Sequence, residues 1–229
     1  MDFKALLSST FDIYLSDEQI HHFEEYHAYL ASENKKMNLT AIKGKEDIYI
    51  RHFFDSLSIA SVTDLNDQSL LDVGSGAGFP GIPLKIVEPS LKLTIVESRL
   101  KRVKFLKRLM KQLHMDDVTI IRGRAEDLNR YASYDIVTAR GVASLNMLTE
   151  ITMPWVKKGG LFIAMKSAGS DQEIEQAKKA IDVLGGEIKQ IFSYHYDDVI
   201  NHVLVIIEKQ QLTPPKYPRR YGKIKKEPL

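Results

Sequence analysis

LLDVGSGAGFPG, at residues 70–81, joins a short apolar run to a loop with three alternating glycines. Glycines let the backbone turn tightly and approach a ligand closely, because no Cβ atom intervenes. Pro80 and Pro83 suit the first turn of a following helix, and the free amides at a helix start favour an anionic group. The segment therefore predicts a buried strand, a ligand-binding loop and a helix in succession.

Two nucleotide-binding interpretations compete for this loop. A dinucleotide site needs the spacing G-x-G-x-x-G, but Phe79 stands where the last glycine of that pattern belongs. Asp72, Gly74, Gly76 and Gly78 instead form Asp-x-Gly-x-Gly-x-Gly, the pattern of methyltransferases that use S-adenosylmethionine. A Walker loop is excluded because no Gly-Lys-Ser/Thr follows. A plain strand-to-helix turn is the remaining alternative, and it leaves the coincidence of an acid with three glycines unexplained.

Short β-rich runs alternate with helical segments after residue 69. Such alternation is typical of βαβ units and a parallel sheet. The predicted strands cover residues 70–73, 93–97, 118–122, 134–139, 161–166, 187–196 and 202–208, and the predicted helices cover 82–87, 100–114, 144–155 and 171–184. The last two strands follow each other directly, which predicts a closing hairpin. The predicted fold class is α/β: a Rossmann-like, mostly parallel seven-stranded sheet of the class I S-adenosylmethionine-dependent methyltransferase type.

A helical segment precedes the sheet and a basic segment follows it. Ser16 and Gln19 make a capping-box pattern, and apolar residues at helical spacing continue to Leu30. A polar break is expected at 32–36, and a second helix over 45–59. The chain is therefore divided into a helical N-terminal extension packed on the core (1–66), a methyltransferase domain (67–209) and a basic C-terminal arm (210–229).

The composition of the 229-residue chain excludes several kinds of site. Because the chain has no cysteine, it has no disulfide framework, no thiolate metal site and no cysteine nucleophile. We expect no metal. The first residues lack a secretory signal and no apolar run is long enough to span a bilayer, so we expect no membrane association and a cytoplasmic location.

The formal net charge of +2 hides an uneven distribution. The last 21 residues hold one acid, Glu227, against seven basic residues: Lys209, Lys216, Arg219, Arg220, Lys223, Lys225 and Lys226. A flexible arm has no packing reason to be basic, so this concentration favours contact with RNA over a plain soluble tail. The candidates for RNA contact are Arg140, Lys166, Arg219 and Arg220.

Residues at the carboxyl ends of the predicted strands are the other candidates, because open α/β sheets bind ligands there. Asp72 can orient the glycine loop and meet the ammonium of the methionine moiety. Glu97 can accept both ribose hydroxyls of an adenosine. Ala125 and Glu126 can meet the adenine, although an acid pair that stabilises a helix start is an equal alternative. Arg140 can orient a phosphate, a guanine edge or the methionine carboxylate, or it can form a structural salt bridge.

The end of the fourth predicted strand limits the acceptor atom. Methyltransferases of exocyclic amines often carry Asp/Asn-Pro-Pro-aromatic there, whereas this chain has Thr138-Ala139-Arg140-Gly141. The covalent route to pyrimidine C5 is closed without cysteine. A ring nitrogen such as guanine N7 remains possible, and it needs no base because it already offers a lone pair. No catalytic acid or base is assigned.

Isolated polar residues elsewhere carry little information. Arg51 and Asp55 are four residues apart, which predicts an ion pair on one helix face. His52 and Ser56 share that spacing, but a hydrolase relay is disfavoured, because nearby positions on one helix do not easily form it and no nucleophile elbow exists. The lone histidines are interpreted as ordinary core or surface residues: His114, His195 and His202.

Several segments together carry a resemblance. They are Asn38-Leu39-Thr40, Arg51-His52-Phe53-Phe54-Asp55-Ser56, residues 72–81, Asp135-Ile136-Val137-Thr138-Ala139-Arg140 and Tyr217-Pro218-Arg219-Arg220. In this order they resemble the glucose-inhibited division protein B family, bacterial methyltransferases of small-subunit ribosomal RNA, from about residue 11 to 229. Gly141, where alanine is more usual, and Ile224, where proline is common, depart from the family pattern and affect only local backbone geometry.

The resemblance implies a reaction and a set of contacts. It implies methyl transfer from S-adenosylmethionine to N7 of one guanine in a decoding-region loop of 16S rRNA. The implied partner is 16S rRNA or the small ribosomal subunit. We expect the chain to be a monomer. It also implies cofactor contacts at Gly74, Phe79, Ala125, Glu126 and Arg140.

Other classes of function stay open at this point. A methyltransferase for a small molecule or a protein is disfavoured by the basic arm. A non-catalytic rRNA-binding or assembly factor could retain the same fold. An NAD-linked oxidoreductase is disfavoured by the position of Phe79.

Overall fold

The computed structural model describes residues 1–128 and 132–229. Seven strands form one sheet: β1 (Ser69–Val73), β2 (Lys92–Glu97), β3 (Thr119–Arg122), β4 (Tyr134–Arg140), β5 (Val156–Ser167), β6 (Gly186–Tyr196) and β7 (Ile200–Lys209). Its helices are α1 (Phe3–Phe11), α2 (Asp17–Met37), α3 (Lys45–Ile48), α4 (Asp55–Leu57), α5 (Gly81–Val87), α6 (Leu100–Gln112), α7 (Leu145–Thr152), α8 (Asp171–Val183) and α9 (Tyr221–Lys226). The α/β class, the seven strands and the alternation with helices are confirmed.

The sheet has the order β3-β2-β1-β4-β5-β7-β6. β1 to β5 are parallel, while β7 runs antiparallel between β5 and β6 and completes the predicted hairpin. β1 lies inside the sheet, between β2 and β4, with its last four residues buried, because helices cover both faces. The carboxyl ends of the parallel strands and the start of β7 share one edge of the sheet, where Ser167 is paired with His202.

The N-terminal extension is a layer of helices joined by short loops. The capping box of Ser16 and Gln19 starts α2 as predicted. The expected polar break is wrong, because α2 continues to Met37 and ends at Asn38, which has a left-handed φ of 49°. Within the supposed break, the buried carboxylate of Glu33 pairs with Lys36 and with Arg108 of α6, so the polar residues stabilise this helix instead of ending it.

A π-helical turn at Tyr49–Phe54 follows α3 and leads into α4. The predicted second helix is therefore present, but the predicted pair of Arg51 with Asp55 is wrong. A π-helix closes i→i+5 hydrogen bonds, so Arg51, inside the turn, and Asp55, beyond its end, do not share one strip. Arg51 pairs with Asp47 at 3.4 Å, and Asp55 is buried and turned towards the sheet.

The C-terminal segment packs on the domain, and the expectation of a loop or extended arm is wrong for its end. Residues 221–226 form α9, and the side chain of Ile224 is completely buried. Lys209 is buried as well; its Nζ donates to the carbonyls of Met153 and Leu184 at 2.8 and 3.0 Å. Burial lowers the pKa of Lys209 to about 8.

Arg219 also has a packing role. Its backbone amide and its Nε donate to Oε1 of Glu150, at 2.9 and 2.8 Å, and its Nη2 donates to Oε2 at 2.5 Å. Glu150 is fully buried in α7, so this guanidinium neutralises an interior charge. The argument that the segment has no packing reason to be basic is therefore wrong for Lys209 and Arg219. The basic residues that remain exposed are Lys216, Arg220, Lys223, Lys225 and Lys226.

We expect Arg219→Ala to destabilise the fold by about 3–5 kcal/mol, because it leaves the Glu150 carboxylate buried without its charged partner. Arg220→Ala is the matched control, since Arg220 is exposed and should change stability by less than about 0.5 kcal/mol. Urea unfolding followed by circular dichroism measures both. Equal unfolding midpoints for the two variants would show that the Glu150 pair does not hold the C-terminal segment.

Candidate functional site

The glycine loop that follows β1 requires residues without a side chain. Gly74, Gly76 and Gly78 have φ values of 73°, 63° and 107°, which L side chains rarely adopt. A Cβ at Gly74 would lie 2.8 Å from Cγ2 of Val142. The loop is therefore a close-fitting cradle at the carboxyl edge of the sheet.

Asp72 supports this cradle from below. It is completely buried, and its Oδ2 accepts a hydrogen bond from the amide of Gly81, the first residue of α5, at 2.8 Å. Its Oδ1 has no hydrogen-bond partner within the described part of the chain. Burial raises the pKa of Asp72 to about 7. Its predicted role in orienting the loop agrees with this geometry.

Glu97, at the end of β2, connects the loop with the next turn. Its carboxylate accepts from the amides of Gly76 at 3.1 Å and Arg99 at 2.7 Å, and Arg102 lies 3.5 Å away. The residue is 3% exposed. Each carboxylate oxygen has two lone pairs, so Glu97 can hold the loop amides and still accept from a ligand.

A cavity of about 310 Å³ opens between the glycine loop and the turn that follows β3. It brings together Gly74, Glu97, Ala125 and Glu126, which sequence reasoning had placed at one ligand. The other lining residues are Val73, Val96, Ser98, Arg99, Arg102, Gly123, Arg124, Gly141, Val142, Ile151 and Tyr221. The predicted residues Asp72, Gly76, Gly78, Phe79 and Arg140 lie outside this lining.

Glu126 brings a carboxylate to the far end of this cavity. Its Oε1 is buried without a hydrogen-bond partner in residues 1–128 and 132–229, and the nearest cation, Nη1 of Arg124, is 3.6 Å away. Burial raises the pKa of Glu126 above its ordinary value. Such an acceptor is available to a donor that enters the cavity.

Two of the lining residues that the sequence analysis did not anticipate shape the cavity. The Tyr221 ring comes from α9 and lies under the guanidinium of Arg124, with 4.4 Å from Cζ to the ring centroid. Val142 follows β4 directly and limits the space above Gly74. Nothing in the local sequence around Tyr221 indicates this contact, because it depends on how the C-terminal segment folds back over the domain.

Phe79 lies below the loop instead of in the cavity. Its ring is 4% exposed and stacks on Tyr26 and on His52, with centroid distances of 5.3 and 4.4 Å. The hydroxyl of Tyr26 donates to the carbonyl of Ala77 at 2.6 Å. The side chain of Phe79 thus connects the loop with the helical extension, and only its backbone remains for a cofactor contact.

Arg140, at the end of β4, is paired with the extension. Its Nη1 donates to Oδ2 of Asp55 at 2.7 Å, and its Nη2 lies 3.2 Å from Nδ1 of His52. The alternative of a structural salt bridge therefore describes this guanidinium. Burial and the charge of Arg140 lower the pKa of His52 to about 3, so His52 is neutral.

The other candidates for RNA contact differ in their surroundings. Nζ of Lys166 donates to the carbonyl of Ala143 and to Glu173, at 2.8 and 2.7 Å. Arg219 is held by Glu150, whereas Arg220 is exposed. Of the four candidates, Arg220 alone is both exposed and without an ion pair in the described part of the chain.

Comparison with known proteins places this site in a family. A model of rRNA small subunit methyltransferase G, the GidB family, matches residues 19–203. The chain belongs to this family. A Staphylococcus saprophyticus protein named ribosomal RNA small subunit methyltransferase G is 46% identical over 226 residues, which cover 96% of this chain and 95% of that protein. A Lactococcus lactis protein of the same name is 44% identical over 225 residues, with 96% and 94% covered.

Solved structures of low sequence identity share the fold. M. jannaschii TYW2 in complex with AdoMet has a TM-score of 0.57 and 17% identity, and the match covers 74% of this chain and 79% of that one. Precorrin-6y C5,15-methyltransferase from Geobacter metallireducens has a TM-score of 0.53 and 16% identity, with 69% and 87% covered. These likenesses support the class I methyltransferase fold.

The family and the fold settle several predictions. The predicted family, the class I fold, the enzyme class of a small-subunit rRNA methyltransferase and the methyl donor S-adenosylmethionine are confirmed. The domain bounds and the individual site residues stay predictions. Within residues 1–128 and 132–229, no group of three or more metal-ligating side chains is present and no helix is long and apolar enough to cross a membrane.

We expect Tyr26→Phe to weaken S-adenosylmethionine binding, because it removes the hydroxyl that holds the carbonyl of Ala77 in the glycine loop. The loss of a buried hydrogen bond should also cost about 1–3 kcal/mol of stability. Isothermal titration calorimetry and urea unfolding measure the two effects.

Tyr29→Phe is the matched control for this variant. Tyr29 lies one turn further along α2 and stacks on Phe105, and its hydroxyl has no hydrogen bond to any residue that the structure describes. We expect the S-adenosylmethionine affinity and the stability of Tyr29→Phe to equal those of the unmodified chain. If Tyr26→Phe binds the cofactor as tightly as Tyr29→Phe does, the extension does not shape the loop.

Proposed function

We propose that the cavity between Gly74 and Glu126 holds S-adenosylmethionine, and that the chain uses it to methylate N7 of one guanine in 16S rRNA. The observation that carries this proposal is the cradle at Gly74, where even a Cβ would collide with Val142. The cavity opens at the carboxyl edge of the sheet, where α/β proteins of this kind bind nucleotides.

The hydrogen-bonding groups of the cavity fit this occupant. Glu97 and Glu126 bring two carboxylates to it, beside Arg99, Arg102 and Arg124, so these acids serve as hydrogen-bond acceptors and the net charge of the lining does not select a cation. The glycine loop would hold the methionine end, Glu97 the ribose hydroxyls, and Ala125 with Glu126 the adenine. Glu126 Oε1 would then gain the donor it lacks, which removes the cost of an unsatisfied buried acceptor.

The reaction makes modest demands on the protein. When bound, S-adenosylmethionine supplies a methyl group whose bond to sulfur breaks with the electron pair left on sulfur, while the lone pair of guanine N7 forms the new bond. Because guanine N7 carries no proton, the chain needs no base to remove one. Its cavity walls position the reactants and exclude water, and proximity can supply most of the rate.

The RNA backbone is met at the exposed basic surface of the C-terminal segment. This surface consists of Lys216, Arg220, Lys223, Lys225 and Lys226. Arg219 and Lys166 do not contribute to RNA binding in this proposal, because Glu150 and Glu173 neutralise them. Measuring methyl transfer to naked rRNA and to the assembled small subunit shows which of the two is the substrate. A monomeric state and a cytoplasmic location stay predictions.

We expect Gly74→Val to abolish measurable S-adenosylmethionine binding, since its side chain would need a positive φ and the space of Val142. Titration calorimetry with S-adenosylmethionine and its demethylated product measures the effect. Gly222→Ala is the control, because a Cβ at Gly222 has nothing within 4 Å. Unchanged affinity in Gly74→Val would remove the cofactor from this cavity.

We expect the combined change Arg220→Ala and Lys223→Ala to reduce the slope of log K against log salt for 16S rRNA binding by about one unit for each lost phosphate contact. The combined change Lys178→Ala and Lys189→Ala is the charge-matched control, because these two exposed lysines lie outside the C-terminal segment and pair with Glu175 and Glu208. Filter binding from low to physiological salt measures the slopes. A slope equal to that of the control would place the RNA elsewhere on the protein.

A further inference from the structure

A second cavity lies at the same edge of the sheet, beside the first. It has a volume of about 310 Å³ and is lined at the ends of β4, β5 and β7 by Arg140, Gly141, Met165, Lys166, Glu173 and His202. Gly141 lines both cavities, and a Cβ at this position would have nothing within 4 Å. The two cavities therefore meet at Gly141, which has no side chain to separate them.

The charges that line the second cavity are compensated. Arg140 is paired with Asp55 at 2.7 Å, and Lys166 with Glu173 at 2.7 Å. A phosphate would need unpaired cations, whereas a neutral heterocycle needs a few hydrogen-bonding groups and apolar contact. Met165 supplies a polarisable apolar wall that suits an aromatic ring. The chemistry of this cavity therefore favours a nucleobase over a backbone phosphate.

His202 brings a defined hydrogen-bonding group to this cavity. Its Nδ1 lies 2.6 Å from Oδ1 of Asp55, and the hydroxyl of Tyr194 donates to the same oxygen at 2.7 Å. Burial alone would raise the pKa of Asp55, but the hydrogen bond from His202 and the charge of Arg140 hold it below its ordinary value.

An ionised carboxylate only accepts hydrogen bonds, so Nδ1 of His202 carries the proton. In the neutral ring, Nε2 then holds a lone pair. Nε2 has no hydrogen-bond partner among residues 1–128 and 132–229, and the side chain of His202 is 33% exposed. The buried carboxylate of Asp55 thus fixes the tautomer of the His202 ring and leaves Nε2 as a hydrogen-bond acceptor.

We propose that the second cavity holds the target guanine and that Nε2 of His202 accepts a hydrogen bond from its N1–H. The proposal rests on the placement of the methyl donor in the first cavity. Guanine N7 must face Gly141 to meet that donor, which turns the N1–H corner of the base away from it and into the second cavity. Adenine has no N1–H, so the same contact selects guanine.

The contact also favours the reaction itself. Methylation at N7 transfers a positive charge to the purine, and N1–H becomes a stronger donor as that charge develops. An acceptor held in this position gains from this change, because the hydrogen bond is stronger in the transition state than in the ground state. No proton leaves N1.

The test compares His202→Asn with His202→Gln in the full chain. Asparagine keeps an N–H near the position of Nδ1 for Asp55 but has no acceptor at Nε2, so single-turnover methyl transfer to 16S rRNA lacking this methyl should fall about 10–100-fold. Glutamine places an amide oxygen near the Nε2 position and should recover part of the rate. His195→Asn is the matched control, because His195 is exposed on β6 and lies outside the cavity.

Readouts other than activity separate the possible outcomes. The proposal predicts unchanged melting temperature and S-adenosylmethionine affinity in His202→Asn, and a ¹⁵N-histidine spectrum in which Nδ1 of His202 is protonated and Nε2 is bare. Wild-type rate in His202→Asn, or a proton on Nε2 instead of Nδ1, would overturn it. So would a joint loss of rate and melting temperature in both variants, which would indicate a structural residue. Weaker cofactor binding with intact stability would mean that this cavity holds the methionine end.

Discussion

The buried carboxylate of Asp55 is the interaction on which the arrangement of the site depends. It lies in the helical extension, yet its partners come from three strands: Arg140 of β4, Tyr194 of β6 and His202 of β7. A buried ion pair of this kind is weak evidence for stability, because desolvation offsets much of the attraction. Its effect is positional, since each partner must approach the carboxylate from a different side.

The helical extension is consequently part of the site. Tyr26 holds the carbonyl of Ala77, and the rings of Tyr26 and His52 enclose Phe79. The glycine loop of an α/β methyltransferase is usually considered as a strand-to-helix turn. Here its underside is formed by residues far away in the sequence, so the loop conformation depends on the extension as well as on its own glycines.

The fold could be predicted because its signals are local. Apolar runs with strand length, the helical periods between them and the spacing from Asp72 to Gly78 each act within a few residues. The site was predicted in part for the same reason: Gly74, Glu97, Ala125 and Glu126 follow strands whose carboxyl ends meet at one edge.

The remaining features depend on long-range partners. The sequence does not show that Asp55 turns away from Arg51, because a π-helical turn changes the register between them. It does not show that Arg219 forms an ion pair with the buried Glu150, so a structural cation was interpreted as an RNA contact. His202 looked ordinary for the same reason, since its chemistry comes from Asp55, 147 residues earlier in the chain. Charge counts along a sequence give the number of cations but not which of them are already neutralised.

The distribution of paired and unpaired cations decides where the RNA backbone can bind. Four of the cations that line the two cavities lie beside carboxylates: Arg102 by Glu97, Arg124 by Glu126, Arg140 by Asp55 and Lys166 by Glu173. Exposed cations without an ion pair in the described part of the chain are concentrated outside the second cavity, on the C-terminal segment and on α6, where they are Lys101, Lys104, Lys107 and Lys111. An rRNA backbone that approaches this protein is therefore attracted to these outer surfaces and not into the second cavity. Phosphates can then anchor the RNA on the outside while one base enters a cavity of low net charge, where hydrogen-bond geometry and not electrostatic attraction decides which base fits.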